Sequence, residues 1–488
     1  MSQNPMTRIF EAYQPPSGGY DEVFGGEGVR HHYRKLYELF SRYSFDDFQE
    51  LNERTKLSFF NQGITFAVYS DDATGTERIF PFDLFPRIIP HAEWDHIERG
   101  IIQRGIALNL FLDDLYHDKK ILKDQVVPAE LIFSSRNYNK QMIDHSPVGK
   151  IYNHISGTDL IRHSDGAYYI LEDNIRCPSG VSYVLANREA MKAGFADLFQ
   201  ESKVALVKPY PTELLSVIQS VAPENVDHPR AVVLTPGMYN SAYYEHSFLA
   251  QRMGIELVEG RDLLVDNGFV YCKTIYGLQR VDIIYRRLDD EFLDPMAFRP
   301  DSMLGVPGLM SAYRAGNVTL VNAPGTGVAD DKAVYSYVPD IIRYYLQEEP
   351  ILHNVPTYRC NIPSECQYVL EHVAELVVKP VDESGGYGIV IGPQATQAQL
   401  DQCKAQIRQN PRRYIAQPVM NLSTHATYID ETAVFEPRHI DLRIFSLMGK
   451  DRQYVLRGGL SRVALRRGSL IVNSSQGGGS KDTWVMEG

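Results

Sequence analysis

The sequence GTDLIRHSDGAYYILEDNIRCPSG, residues 157–180, decides the fold assignment. Two short apolar segments flank Ser164-Asp165-Gly166, and a turn centred on Asp-Gly is typical of a β-hairpin. Glu172 and Asn174 share one face of the second strand. Asp159 can face them from the first strand, because side chains alternate along strands and pair across them. Three oxygen ligands on one sheet face predict a Mg²⁺ site.

The same residues also allow an ordinary acidic hairpin without a metal. Arg176 follows the second strand, and Pro178-Ser179-Gly180 forms a turn beside it. A cation and a backbone turn therefore lie next to the predicted metal ligands. This neighbourhood favours the metal site over the ordinary hairpin, and it makes Arg176 and Ser179 candidate substrate-binding residues.

The composition indicates a soluble globular protein of several domains. The chain has 488 residues, which is too long for one hydrophobic core. Its net charge of −12 argues against nucleic-acid binding, and no apolar run approaches the length of a membrane span. The N-terminus lacks the pattern of a secretory signal, and the five cysteines never form a CxxC pair. We therefore expect a cytoplasmic protein with no nucleic-acid or membrane partner.

The pattern along the chain predicts an α/β protein with four regions. Residues 1–130 are predicted to be mainly helical. Residues 131–205 contain the hairpin. Residues 206–335 alternate strands and helices, which indicates a small parallel α/β unit. In residues 336–488 strands are repeatedly followed by basic or glycine-rich segments.

A second motif lies about two hundred residues after the hairpin. Lys379 ends the apolar strand ELVVK, and the loop PVDESGGYG follows with Ser384, Gly385 and Gly386 at its centre. Glycines let backbone amides approach an anion, and the lysine adds a fixed positive charge. The motif predicts phosphate binding, although a hairpin with a flexible turn would look alike.

Arginines recur on the strands that follow. Arg443 lies in HIDLRIF, while Arg457 and Arg462 lie in VLRGGLSRVAL, shortly before the glycine-rich segment NSSQGGG. Such arginines can form a solvated sheet face. Combined with two glycine-rich loops, they suit a polyphosphate and a transition state rich in negative charge.

Together these segments resemble the ATP-grasp ligases. The hairpin resembles the segment of glutathione synthetase and of D-alanine–D-alanine ligase in which an Asp and a Glu-x-Asn hold two Mg²⁺ ions. The resemblance implies metal binding by Asp159, Glu172 and Asn174. It also implies that Lys379 binds phosphate beneath a lid of Ser384, Gly385 and Gly386. The strand YIAQPV, with Gln417, would meet the adenine, and Arg443 would bind phosphate and substrate.

The order of these segments differs from that of an ordinary member, in which the metal segment closes the domain. Here it comes first, and the order resembles the circularly permuted ATP-grasp proteins of type 2, which are related to the synthetase domain of glutathionylspermidine synthetase. The implied fold is a permuted ATP-grasp fold with a pre-ATP-grasp-like α/β domain. If so, the hairpin and the strands of 438–474 form one sheet, and the N-terminal helical region packs outside this core as an added layer.

Two features depart from the family pattern. Gln417 is followed by Pro418 where an acid usually holds the ribose, so either Glu436 replaces that acid or the nucleotide preference is relaxed. The first ATP lysine has no certain counterpart. Arg359 is the nearest basic candidate, and Lys332 is the other.

The resemblance implies a carboxylate–amine ligase that uses ATP and two Mg²⁺ ions, forms ADP, and proceeds through an acyl phosphate. Arg443 and Arg457 are the catalytic candidates. The loop TPGMYN, with Asn240, and the strand-end pair Arg286-Arg287 would line the acceptor side. The substrates would be a small-molecule or peptide carboxylate and an amine. A nucleotide-binding scaffold without turnover and a kinase-like enzyme stay open as alternatives.

Overall fold

A large mixed sheet forms the centre of the protein in a computed structural model that describes residues 9–487 except 11–12, 17, 69–75, 225, 382–387 and 473–477. Its strands follow a spatial order that mixes the two ends of the chain: His353–Asn354, Tyr168–Asn174, Ile155–Arg162, Val434–Met448, Leu460–Val463, Gly479–Val485 and Phe82–Ile89. Two further strands, Thr424–Ile429 and Gln453–Val455, pair with the long strand Val434–Met448.

The hairpin and the C-terminal strands belong to this one sheet, which confirms the sheet expected from the permutation. Asp159 lies directly opposite Glu172 within the hairpin and opposite Arg443 on the neighbouring antiparallel strand. Two strands alone are too few to be stable in water, so the hairpin depends on the strand Val434–Met448 as its partner. Chain segments that are almost three hundred residues apart thus meet side by side.

The N-terminal region is more than an added layer, and that expectation was wrong. Its strand Phe82–Ile89 forms the edge of the large sheet by parallel pairing with Gly479–Val485. Its helix His91–Tyr116 packs against the sheet, where Arg104 makes a buried ion pair of 2.6 Å with Asp173. Asp173 alternates with Glu172 and Asn174, so this helix covers the face opposite the predicted metal ligands.

A parallel α/β unit packs beside the large sheet, as the sequence pattern predicts. Its strands lie in the order Thr319–Val321, Ile283–Arg286, Ala231–Leu234 and Glu256–Val258, all parallel. The helices Tyr210–Ser220 and Tyr243–Met253 flank them. In such a sheet ligands bind at the carboxyl ends of the strands, and the loop TPGMYN begins at one of these ends.

A small antiparallel sheet, separate from the large sheet, forms a second lobe of the protein. Its strands are Tyr358–Arg359, Tyr414–Pro418, Leu376–Pro380 and Val390–Ile391. The helices Pro363–His372 and Gln397–Gln409 bury apolar side chains against it. Ser384, Gly385 and Gly386, the predicted phosphate lid, lie outside the described residues, as does most of NSSQGGG.

The remaining strands belong to none of the three sheets described above, and the remaining helices are given with them here. The other strands are Phe24–Gly25, Gly28–Val29, Thr65–Val68, Thr76–Ile79, Leu263–Asp266, Phe269–Thr274 and Gly277–Val281. The other α-helices are Arg34–Phe40, Phe45–Asn61, Lys120–Lys123, Ala129–Phe133, Val181–Gly194, Ala196–Glu201, Asp290–Leu293, Leu309–Arg314, Lys332–Tyr335 and Val338–Leu346. Within the described ranges, none of the helices combines the length and the apolar character that crossing a membrane requires.

Candidate active site

Two cavities meet at a shared wall. The first, of about 960 Å³ including its solvent-open part, lies between the large sheet and the small sheet. The second, of about 1110 Å³, lies between the hairpin and the loops of the parallel α/β unit. Glu172 and Lys332 line both cavities. A group bound beside Glu172 and Lys332 in one cavity is therefore also next to the other cavity.

The first cavity has an apolar part and a charged end. Its apolar lining comes from both sheets and from the segment that links them: Ile161, Leu171, Val377, Ile389, Ile391, Met420, Leu422, Leu470, Ile471 and Val472. Its charged lining gathers basic and acidic groups: Lys332, Lys379, Arg462, Asp159, Glu172 and Asp441. An apolar space with cations at one end can bind a flat ring in its apolar part and phosphate groups attached to that ring at its charged end.

Lys379 extends into this cavity from the small sheet. Its Nζ donates a hydrogen bond of 2.7 Å to Oε1 of Gln417, and Gln417 in turn donates to Thr357 Oγ1 at 3.0 Å. Burial lowers the pKa of Lys379 to about 8, with a smaller lowering from Lys332, although Glu172 and Asp159 oppose the shift. The ammonium is thus held in place, while burial disfavours its charged form.

Asp159 is clamped by two arginines on the face of the large sheet. Arg443 donates from Nε to Oδ1 at 2.6 Å and from Nη2 to Oδ2 at 2.8 Å, while Nη2 of Arg462 reaches Oδ2 at 2.8 Å. Arg462 also pairs with Asp441. Burial raises the pKa of the Asp159 carboxyl, but the two guanidiniums outweigh burial and hold the pKa below its usual range. Asp159 is therefore ionised at any physiological pH.

The donor set of the hairpin suits a hard divalent cation. Glu172 is partly exposed, with Lys332 Nζ at 3.4 Å and Arg443 Nη2 at 4.0 Å. Asn174 donates from Nδ2 to the carbonyl of Gly157 at 3.1 Å, which fixes the orientation of its amide. Two carboxylates and an amide oxygen are ligands that Mg²⁺ accepts. The residues that the structure describes contain no group of three His, Cys, Asp or Glu side chains placed to hold a metal ion.

The two arginines predicted to be catalytic, Arg443 and Arg457, lie outside the linings of both cavities. Arg443 lines neither cavity, and its Nη1 donates to the carbonyl of Ser179 at 3.2 Å, so it holds Asp159 and the adjoining turn in place. Arg457, predicted to be catalytic, pairs instead with Asp95 and Glu98 of the helix His91–Tyr116 at 3.5 and 3.2 Å. Arg462, five residues later, enters the first cavity in its place.

Of the two candidates for the first ATP lysine, Lys332 lines the first cavity. Arg359 lines neither cavity; its guanidinium pairs with Glu365 at 2.6 Å and lies over the ring of Tyr337. Glu436, the alternative ribose ligand, pairs with Arg438 at 2.8 Å and also lies outside both cavity linings. Among the residues that the structure describes, the lining supplies no acid beyond Asp159, Glu172 and Asp441.

The second cavity collects Arg176, Ser179, Asn240 and Arg287, which the sequence analysis assigned to substrate binding. Arg176 lies between two carboxylates, with Asp330 at 2.6 Å and Asp289 at 3.4 Å. The four residues come from the end of the hairpin and from loops of the parallel unit. The cavity is mainly polar and carries both signs of charge.

Arg286 does not belong to this group. Its side chain is fully buried and donates to the carbonyls of Asn322, Leu288 and Ala323, and it also pairs with Asp290 at 2.8 Å. It therefore stabilises the parallel unit. Its neighbour Arg287 points to the opposite side, as successive residues of a strand do.

Asp441 and His246 were not predicted from the sequence, and Arg462 was predicted only as one of three strand arginines that suit a polyphosphate; all three line a cavity. Asp441 and Arg462 could have been found from the alternation of HIDLRIF and LSRVA, since Asp441 shares the face of Arg443. His246 lies inside the helix Tyr243–Met253 among residues without any ligand spacing, so no local pattern marks it.

Comparison with known proteins agrees with this geometry. Residues 86–464 match the family model "Circularly permuted ATP-grasp type 2". An "Uncharacterized protein" of Synechocystis is 53% identical over 97% of this chain and 98% of its own length. A "Putative glutamate--cysteine ligase 2-3" of Frankia alni is 41% identical over 98% of this chain, which spans 54% of that protein.

A solved structure shows the same fold despite little sequence similarity. It is that of a glutathione synthetase-like effector from Globodera pallida in its apo form, with a TM-score of 0.54 and 11% identity. The match covers 90% of this chain and 96% of the effector. The chain therefore belongs to the circularly permuted ATP-grasp family of type 2.

Proposed function

We propose that the protein is an ATP- and Mg²⁺-dependent carboxylate–amine ligase that forms ADP. The observation that carries the proposal is the shared wall of the two cavities. An apolar cavity with a cationic end opens, at Glu172 and Lys332, onto a second, polar cavity. That arrangement suits the transfer of a phosphoryl group from a nucleotide in the first cavity to a carboxylate in the second.

In this proposal ATP occupies the first cavity. The base lies in the apolar part, between side chains such as Ile391 and Ile471, and the phosphates extend toward Lys379, Lys332 and Arg462. Each cation offers a charge-assisted hydrogen bond to a phosphate oxygen, which is stronger than a neutral one. Membership of the ATP-grasp family supports the choice of nucleotide.

Glu172, Asn174 and Asp159 would hold the Mg²⁺ ions. A bound Mg²⁺ neutralises phosphate charge and orients the phosphoryl group for in-line transfer. Glu172 is the most accessible of the three. Asp159 would join by giving up one of its hydrogen bonds to Arg443, whose role is thus to position the carboxylate and keep it ionised.

The reaction proceeds in two steps. A carboxylate oxygen of the substrate attacks the γ-phosphorus, the bond to the β,γ-bridging oxygen breaks, and ADP leaves. The amine nitrogen then attacks the acyl carbon, phosphate leaves with the carbon–oxygen electron pair, and the nitrogen loses a proton to give the amide. Lys332 lies at the shared wall of the two cavities, where both steps would take place, so its charge can stabilise the phosphoryl group in each step.

The names of relatives support a ligase. The Frankia alni relative is called a putative glutamate–cysteine ligase, a reaction that joins a carboxylate to an amine. Because this chain spans about half of that protein, the name supports the type of reaction more than its substrates.

A substrate screen tests the proposal. Pools of carboxylates and amines would be incubated with ATP, Mg²⁺ and the protein, with ADP and new amides detected by mass spectrometry. We expect phosphate release that requires both a carboxylate and an amine. A phosphorylated product that accumulates without any amine requirement would indicate the kinase-like alternative. Nucleotide binding without ADP formation from any pool would indicate the scaffold.

Glu172→Gln provides the matched loss-of-function variant, because it keeps size and hydrogen bonding but removes a charge from both cavities. Arg457→Ala provides the control, since Arg457 lines neither cavity and pairs with Asp95 and Glu98 of the helix His91–Tyr116. Turnover that survives Glu172→Gln unchanged would contradict the assignment of the shared wall.

A further inference from the structure

The wall of the second cavity that belongs to the parallel α/β unit is rich in fixed hydrogen-bond donors. It is built from the loop that follows the strand Ala231–Leu234 and from the start of the helix Tyr243–Met253. Asn240, Ala242 and His246 line the cavity from these segments. Oδ1 of Asn240 accepts a hydrogen bond of 2.9 Å from the amide of Ala242, so its Nδ2 is left as a donor.

His246 has a polar partner at one of its two ring nitrogens. Nδ1 lies 2.9 Å from the hydroxyl of Thr235, and that hydroxyl accepts a hydrogen bond of 3.2 Å from the amide of Gly237. In the tautomer in which the Thr235 hydroxyl donates to Nδ1, the ring proton is on Nε2. Nε2 has no partner among the described residues, so a side chain that is only 2% exposed leaves one N–H donor for the cavity.

His246 is a neutral donor. Burial lowers its pKa to about 2, with a further lowering from Arg287. A neutral imidazole at the beginning of an eleven-residue helix adds its N–H to the positive end of the helix dipole. Such a wall attracts an oxygen that carries negative charge.

Arg287 lies behind this wall, where its charge is paired with the buried carboxylate of Glu245. Its terminal nitrogens donate to the carbonyl of Pro178 at 2.7 Å, to Ser179 Oγ at 2.5 Å, and to Glu245 at 3.0 Å. Its Nε is buried and has no partner among the described residues. Beside the same cavity, His246 Nε2 also has no acceptor among the described residues, so two donors are without acceptors there.

We infer that this wall binds a carboxylate of the substrate that does not react, with His246 Nε2 and the Asn240 amide as its hydrogen-bond donors. The inference rests on the proposed function, because the reacting carboxylate must lie at the other wall, beside Glu172 and Lys332. The substrate that is phosphorylated is then at least a dicarboxylate. His246 acts as a specificity-determining residue and takes no part in phosphoryl transfer.

The test compares two ligands that differ in one carboxylate. Binding of L-glutamate and of L-glutamine to the full chain would be measured by calorimetry without ATP. We expect L-glutamate to bind at least about tenfold more tightly than L-glutamine, and His246→Ala to remove this preference, because a hydrogen bond to a charged group is lost. His246→Gln, which keeps an N–H donor of similar reach, should restore part of it.

Two controls separate this inference from the proposed function. His96→Ala removes an exposed histidine from the helix His91–Tyr116 and should bind both ligands like the unaltered protein. ATP affinity, measured on the same preparations, should be equal in all four proteins, and loss of ATP binding everywhere would refute the proposed function alone. Equal binding of the two ligands, no binding of either, or a preference that survives His246→Ala would overturn the inference.

Discussion

The ammonium of Lys379 should make ATP binding depend on pH in the alkaline range. Burial lowers the pKa of this group to about 8 in the free protein, and phosphate oxygens bind only its charged form well. The bound phosphates stabilise the ammonium, so ATP binding takes up a proton above pH 8. The affinity for ATP is therefore highest below the pKa of Lys379 and falls as the pH rises through that pKa.

The size of the effect follows from the protonated fraction. With a pKa of about 8, the ammonium makes up about nine-tenths of Lys379 at pH 7 and about one-tenth at pH 9. Because the apparent dissociation constant varies inversely with the binding-competent fraction, it should rise about tenfold between these pH values. Lys379→Met should weaken binding by roughly 10- to 100-fold at pH 7, the loss expected for a hydrogen bond to a charged group.

Calorimetry with the non-hydrolysable analogue of ATP that carries a β,γ-imido bridge, across pH 7 to 9, measures both effects. Lys379→Arg keeps its charge over this range and should give a flat profile, and Lys379→Met should be flat at a lower affinity. An alkaline loss of affinity that is equally steep in Lys379→Met would refute the reasoning, because the titrating group would then lie elsewhere.

Three further substitutions separate chemistry from stability. Glu172→Gln should abolish Mg²⁺-dependent ADP formation in a coupled assay yet leave the thermal midpoint within a few degrees, because the side chain is partly exposed. Asp159→Asn should lower the free energy of unfolding in urea by about 3–5 kcal/mol, since it removes the buried negative charge that Arg443 and Arg462 share. Arg457→Ala should preserve turnover and change stability by less than about 1 kcal/mol, as expected for an exposed ion pair; a loss of turnover would restore its catalytic assignment.

Local patterns were sufficient for part of the site. The hairpin is defined by its Asp-Gly turn and by alternation, so the shared face of Asp159, Glu172 and Asn174 follows from nearby residues alone. Lys379 follows likewise from the end of an apolar strand. The family resemblance supplied the long-range step, that the hairpin and the strand of Arg443 lie side by side.

Other assignments failed where the answer depends on distant packing. Arg457 and Arg462 look alike in sequence, but only the second is on a strand whose face is turned to the first cavity. Arg359 pairs with a local partner, Glu365, and does not line the first cavity, whereas Lys332, at the start of a short helix, does line it. His246 acquires its setting only when the loops of the parallel unit approach the hairpin.

The most direct test of the ligase proposal follows oxygen from the carboxylate to phosphate. The protein would be incubated with ATP, Mg²⁺, a pool of amines and a pool of amino acids whose carboxylates are labelled with ¹⁸O, in unlabelled water, and the released phosphate analysed by mass spectrometry. An acyl phosphate that is attacked by an amine leaves one carboxylate oxygen on the phosphate, so we expect ADP together with phosphate that carries a single ¹⁸O. Unlabelled phosphate, or AMP with pyrophosphate, would contradict the account.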